Sequence, residues 1–262
     1  MMSLFDSHCH IDGPQFDEDR DALHDRMQAA GVVRYAVIGT DLPSSRHAID
    51  YAAAHSGAVA AIGFHPGDCA PYRGDADLAR LAEWTAEAPV RAIGEIGLDY
   101  YWQDNPPREF QQRVCADQIE LAWTLGLPCA FHVRDAHPDM IALLKAHKPH
   151  LSGGIMHCFS GSWETAQEYL RLGYMISFAG PVTYKNARKL HEAAAQCPRS
   201  AMLIETDSPY LTPVPLRGTR NEPANVRLIA ERIAELRGET PEEVARFTFE
   251  NACRIYGLPF EN

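Results

Sequence analysis

The stretch FDSHCHID, residues 5–12, holds the question on which the fold turns. It places His8 and His10 one residue apart, at the end of a short apolar run. In a strand, residues i and i+2 face the same way, so both imidazoles can aim at one ion. Alone, the pair reads equally well as a polar patch near the start of the chain. Its meaning depends on whether further donors stand at matching positions on other strands.

Working outward, short β-rich apolar runs alternate with longer helical patterns. Strands are expected at 4–8, 34–39, 58–63, 90–96, 128–133, 154–158, 174–178 and 202–207. Helices are expected at 20–30, 44–55, 78–87, 108–125, 138–148, 163–172 and 187–195, with two more at 223–236 and 241–256. Eight strands alternating with helices indicate a parallel β/α architecture. In a chain of 262 residues, this points to a (β/α)8 TIM barrel, read as one domain over 1–262. A doubly wound open sheet is the alternative, but no GxGxxG or P-loop follows the first strand. Local signals agree. Ser44 can cap the second helix, and ETPEEV sets Thr240, Pro241 and Glu243 as a capping box. Gly126 and Gly173 fall just after helices, where a left-handed residue is often needed. SPYLTPVPLRGTRNEP, residues 208–223, reads as a long loop after the last strand.

Polar donors recur at the carboxyl ends of these strands. Glu95 stands in AIGEIGLDYYW, His132 in PCAFHVRDA, His157 in GGIMHCFSG and Asp207 in LIETDSPYL. In a barrel such ends converge on one mouth, where active sites form. Four histidines and two carboxylates suit Zn, Mg or Mn rather than a thiolate site. They suffice for two divalent ions if one carboxylate bridges, and Glu95, on a central strand, is placed to do so.

The composition bounds the rest. Hydrophobic residues at 46% and charged residues at 23% fit a globular chain with a substantial core. No apolar run is long enough for a membrane helix, and no secretory signal is evident, so a cytoplasmic protein without a membrane or obligate protein partner is expected. The seven cysteines are scattered and form no CxxC pair, which argues against a disulfide framework. A net charge of −11 argues against a broad duplex-binding surface. It leaves room for a nucleic-acid substrate whose phosphate is held locally by metal ions.

Taken in order, DSHCHID, GFHP, GEIGLDYYW, FHVRDA, HCFSG and ETDSPYL, followed by RGTRNEP and ENACRIYGL, make the chain resemble the TatD family of metal-dependent hydrolases, within the amidohydrolase-like superfamily. The resemblance spans nearly the whole chain. It implies a (β/α)8 barrel with a dinuclear metal centre and hydrolase activity, often that of a deoxyribonuclease or 3′–5′ exonuclease. Some relatives have been assigned D-aminoacyl-tRNA deacylase activity. Carried over position by position, it implies one ion on His8, His10 and Asp207, and another on His132 and His157, with Glu95 touching both. Phe64 and Ser160 are mild departures from the family pattern.

Further residues carry paired readings. Asp207 can take a proton from the attacking water. His65, after the third strand, can hydrogen-bond the scissile phosphate or leaving group, or be an ordinary loop histidine. Glu205 can orient a ligand histidine or be a buried carboxylate paired inside the barrel. Arg134 can bind a phosphate, or pair with Asp135 or another acid at the rim. Arg217 and Arg220 can contact a nucleic-acid backbone, while Asn221 and Glu222 cap the next helix ahead of Pro223. Tyr100, Tyr101 and Trp102 can stack bases or pack the rim. Asp6 can support the histidines, and Asp12 can shape the Gly13–Pro14 turn. The expected substrate is thus a nucleic acid, DNA or tRNA. The competing class is ester or amide hydrolysis, by a D-aminoacyl-tRNA deacylase or a small-molecule amidohydrolase. A non-enzymatic metal scaffold is disfavoured by the complete donor set.

Overall fold

The computed structural model describes residues 2–260. Eight strands form one sheet in the order β1 to β8: β1 Leu4–Cys9, β2 Val32–Ile38, β3 Ala58–Ile62, β4 Val90–Asp99, β5 Cys129–Arg134, β6 Gly154–Met156, β7 Tyr174–Phe178 and β8 Met202–Ile204. The strand pairs β1–β2, β3–β4, β4–β5, β5–β6 and β7–β8 are parallel. The end of β8 returns to β1: Asp207 N–H donates to the His8 carbonyl at 2.9 Å, and His10 N–H donates to the Ser208 carbonyl at 2.8 Å. The fold is a (β/α)8 barrel. Between the strands lie α1 Arg20–Ala30, α2 Leu42–Ala54, α3 Asp75–Trp84, α4 Arg108–Leu125, α5 His137–Ala146, α6 Trp163–Arg171 and α7 Arg188–Gln196, and then α8 Val226–Arg237 and α9 Pro241–Ile255 after β8.

By internal packing the chain divides into two compact units. The first holds β1, nearly all of β2, most of β7, and β8, with α1, α7, α8 and α9. Its core includes Leu4, Phe5, Ile204 and Ile229, all essentially buried. Phe5 stacks on Tyr256 of the C-terminal segment at 5.6 Å, and the Tyr256 hydroxyl donates to the Ser7 carbonyl at 2.8 Å. This ties α9 onto the first strand. The second unit holds β3 to β6 with α2, α3, α4 and α5. Ile93, Ile96, Val114, Ile119 and Phe131 fill it. The strands are buried over most of their length, as parallel sheets covered by helices require.

The local signals fare unevenly. The Thr240–Glu243 capping box is present in full, and Gly126 takes the left-handed conformation that ends α4. Ser44 is not the cap of α2. Asp41 is, with Ser44 as the third helical residue returning the bond to the cap backbone. Pro43 at the start of the helix lacks an N–H, which moves the boundary two residues upstream of the expected one. Helix α3 begins at Asp75, earlier than expected, with Asp75 and Asp77 in its first turn where the helix dipole favours acids. Pro223 opens a short 3-10 turn, Pro223–Asn225, and α8 starts only at Val226. Glu222 stands at the head of that turn, but its carboxylate grips Arg26 at 2.8–3.0 Å instead of capping. Between β8 and this turn, residues 205–222 form the expected long loop, without helix or strand.

The ends of β4 and β8 both depart from expectation by three residues, and β8 stops at Ile204 where an end at Asp207 is expected. Strand β4 runs to Asp99, where an end at Ile96 is expected. Gly97 has φ +137°, and a Cβ there would lie 2.0 Å from the His132 carbonyl oxygen. The glycine therefore allows close backbone approach inside the strand rather than ending it.

Candidate metal centre

In the first unit, β1 delivers His8 from its interior and His10 from just past its end. Asp207 follows β8 by three residues, in a left-handed conformation with φ 55°. The two backbone bonds that return β8 to β1 hold this turn against the strand. Asp6 strengthens the join: its Oδ1 accepts from Thr206 N–H at 2.8 Å and His8 N–H at 3.3 Å, and its Oδ2 accepts from the Thr206 hydroxyl. Burial pushes the Asp6 carboxyl up to about 8 despite those bonds. Asp6 thus supports the backbone that carries His8. Asp12 is buried, and its carbonyl accepts from Arg20.

The imidazoles of His8 and His10 meet edge to face, with centroids 5.2 Å apart. Both Nε2 atoms point at one oxygen, Asp207 Oδ1, from 3.8 and 3.6 Å. These distances are too long for hydrogen bonds. They match ligands sharing one ion: with bonds of about 2.1 Å, donors are about 3.0–3.8 Å apart at angles of about 90–130°.

The second unit brings together His65, Glu95, His132 and His157. Glu95 and His132 lie inside β4 and β5 rather than at their ends, and His157 directly follows β6. Glu95 Oε1 receives His132 Nδ1 and His157 Nε2, each at 3.0 Å. The other nitrogen of His132, Nε2, lies 2.9 Å from Asp99 Oδ2. A metal-binding imidazole usually donates its remote N–H to a carboxylate, which fixes the tautomer and aims the free nitrogen. Asp99 fills that role for His132 and leaves Nδ1 aimed at Glu95. Burial disfavours a charged His132, but the bonds to Asp99 and Glu95 outweigh it and raise its proton affinity.

His65 is different. Its Nδ1 accepts the Gly67 N–H at 3.0 Å, so the neutral ring carries its proton on Nε2. That proton faces Glu95 Oε1, 3.7 Å away, and the ring packs edge-on against His132 at 4.5 Å. Nε2, Glu95 and His132 are close enough for a shared ion. The tautomer instead makes Nε2 a donor, suited to a substrate oxygen. Burial lowers the His65 pKa to about 4.

Glu205 is fully buried. Its Oε1 accepts the Cys158 N–H, and its Oε2 accepts the Ser177 hydroxyl, both at 2.6 Å. These bonds tie the 158 backbone and β7 to the residues after β8.

The three arginines separate clearly. Arg220 is bound to Asp19 through two bonds of 2.8 Å. Arg134 does not pair with Asp135; its guanidinium lies on the Tyr101 ring at 3.8 Å and near Trp102 at 5.4 Å. Arg217 lies on Tyr184 at 4.2 Å. The donor that sequence reasoning passed over is Asp99. It sits in the quoted GEIGLDYYW motif, four residues beyond Glu95 and therefore on its strand face, which was the available signal.

The His and carboxylate chemistry, with these separations, fits divalent ions. Comparison with known proteins agrees. The family model described as TatD related DNase matches residues 5–257. The uncharacterized metal-dependent hydrolase YabD of Bacillus subtilis is 44% identical over 255 residues, covering 97% of this chain and 99% of that protein. A protein of Cronobacter sakazakii named 3′-5′ ssDNA/RNA exonuclease TatD is 36% identical, over 97% of each chain. The crystal structure of YjjV, a TatD homologue from Escherichia coli, superposes with a TM-score of 0.90 at 33% identity, covering 98% of both chains. The chain therefore belongs to the TatD family and is a metal-dependent hydrolase.

Proposed function

We propose that this chain is a two-metal phosphodiesterase that acts on single-stranded nucleic acid, working as one barrel domain. The observation that supports the reading is the pair of His–carboxylate clusters: His8 and His10 around Asp207 in one, His132 and His157 around Glu95 in the other. The 36% identity to a protein named as a single-strand exonuclease supports the substrate class. Bound divalent ions supply an acidified water and neutralise the charge that develops on the phosphate. The chain supplies the rest. Asp207 takes the proton of the attacking water. His65 offers its Nε2–H to a phosphate or leaving-group oxygen. Arg134 and Arg217, which lie on aromatic rings, are the cations for the strand; Arg220 is committed to Asp19.

The test is a substrate panel on protein stripped of metal and reconstituted with Zn, Mg or Mn. It comprises single-stranded DNA, duplex DNA, RNA, D-aminoacyl-tRNA and simple phosphodiesters. Single strands are expected to be cut fastest. Absence of turnover on every phosphodiester would sink the reading, and activity on D-aminoacyl-tRNA alone would replace it with ester hydrolysis. Asp207→Asn is expected to keep the fold and lose turnover.

A further inference from the structure

The segment after β4 combines exposure with rigidity. Tyr101 is 49% and Trp102 57% exposed, an unusual position for two large aromatic side chains in succession. They are not on a loose loop. Asp99 Oδ1 accepts Tyr101 N–H at 2.9 Å and Trp102 N–H at 3.4 Å. Tyr100 N–H donates to the Arg134 carbonyl at 2.9 Å. Gln111 clasps Asp99 from both sides of its backbone, at 2.9 and 3.0 Å, and Asn105 adds a bond at 3.2 Å. The two rings meet at 86° with centroids 4.8 Å apart, forming a corner. The Arg134 guanidinium closes it from the strand side, 3.8 Å from Tyr101.

Two contrasts separate this corner from ordinary packing. Trp123 is also exposed, at 45%, but its face is stacked on His150 at 4.1 Å. In a chain with 35 acidic residues and 24 Lys and Arg, no carboxylate among the described residues lies within ion-pair distance of Arg134. A planar cation left without an anion beside two outward-facing rings suits a ligand carrying both a π-face and a phosphate.

The corner is also wired to the metal cluster. The same carboxylate, Asp99, that bonds the Tyr101 and Trp102 amides holds His132 Nε2 through its other oxygen. We propose that Tyr101, Trp102 and Arg134 form a stacking subsite for one base of the substrate strand, fixed beside the His132 cluster by Asp99. The subsite rests on the nucleic-acid reading above and deepens it. Recognition by π-face is sequence-tolerant, because every base has one. The corner therefore selects unpaired bases over duplex ends without reading sequence.

The test uses a labelled single strand and the same strand made abasic throughout. In wild type, KM is expected to be lower for the base-bearing strand. Trp102→Ala and Arg134→Ala are expected to raise KM on that strand on the order of tenfold, and far less on the abasic one. Trp102→Phe retains most of the preference, and Trp123→Phe changes neither strand. Equal shifts on both strands, or none, overturn the subsite. A second readout separates this from failure of the function itself: anisotropy of the same strands on metal-free protein needs no turnover. If no strand is cut, the function reading fails. Base-dependent binding lost in Trp102→Ala then still supports the subsite, and base-independent binding still overturns it.

Discussion

The two donor clusters are built differently. In the second unit, two imidazole nitrogens lie 3.0 Å from Glu95 Oε1, and a third group, Asp99, locks His132 from behind. In the first unit, two nitrogens face Asp207 Oδ1 from 3.6–3.8 Å, and the order comes from the backbone join between β8 and β1. One cluster is organised by side-chain hydrogen bonds among the donors. The other is organised by main-chain geometry that sets its donors at the spacing of ligands to one ion. Pre-organised donors pay less to bind, so the second-unit ion is expected to be the last lost on dialysis against chelator. The largest effect should come from removing its centre. His132→Ala is expected to lose turnover below detection and about one ion per chain by elemental analysis. His8→Ala should lose the other, weaker ion. If either variant keeps the full metal content, the pairing of clusters with ions is wrong.

Asp99→Asn sharpens the same comparison at smaller cost. The amide keeps the shape but weakens the charge-assisted bond to His132. Outer partners of this kind are worth roughly 10–100-fold in metal affinity or activity. The loss should appear as weaker metal binding with an unchanged melting profile of the metal-free protein. An unaltered metal affinity would show that His132 is positioned by its strand alone.

Gly97→Ala reaches the cluster through the backbone. The added Cβ would meet the His132 carbonyl at 2.0 Å, at φ +137°. A stability loss of about 3 kcal/mol is expected, from strain plus displacement of β5. Gly173→Ala, also at positive φ but with nothing within 4 Å, should cost only about 1 kcal/mol. Comparable losses at both sites in denaturant titrations would mean that φ, and not the β4–β5 approach, sets the requirement.

These cases show what could be read from the chain. The alternation of strand and helix was legible, because period and spacing are local properties. Asp99 was missed because its role depends on β4 continuing through two glycines. The expected strand stops at Ile96, and the contact that requires Gly97 comes from β5. The fates of the arginines were equally non-local. Asp19 occupies Arg220 from 201 residues away, while Arg134 is left to two aromatic neighbours. Ser44 was displaced as a cap by a competitor three residues upstream, which spacing alone does not rank.

The smallest expected effect isolates what the carboxylates do for a buried histidine. His132, between Glu95 and Asp99, gains proton affinity. His137, at the start of α5, has the Tyr169 hydroxyl at 2.9 Å, and burial lowers its pKa to about 4. Between about 4 and 6.5, the unfolded chain therefore binds more protons at His137 than the folded chain does. Folding stability from this residue is complete above that window and declines as pH falls through it. After allowance for partial solvent screening, the decline should be about 1 kcal/mol. His137→Phe keeps an aromatic ring but removes the titration. Its stability should fall less steeply from pH 6.5 to pH 4 than that of wild type, in urea unfolding of the metal-free protein. Identical slopes would place the acid sensitivity elsewhere and remove the contrast between His137 and His132.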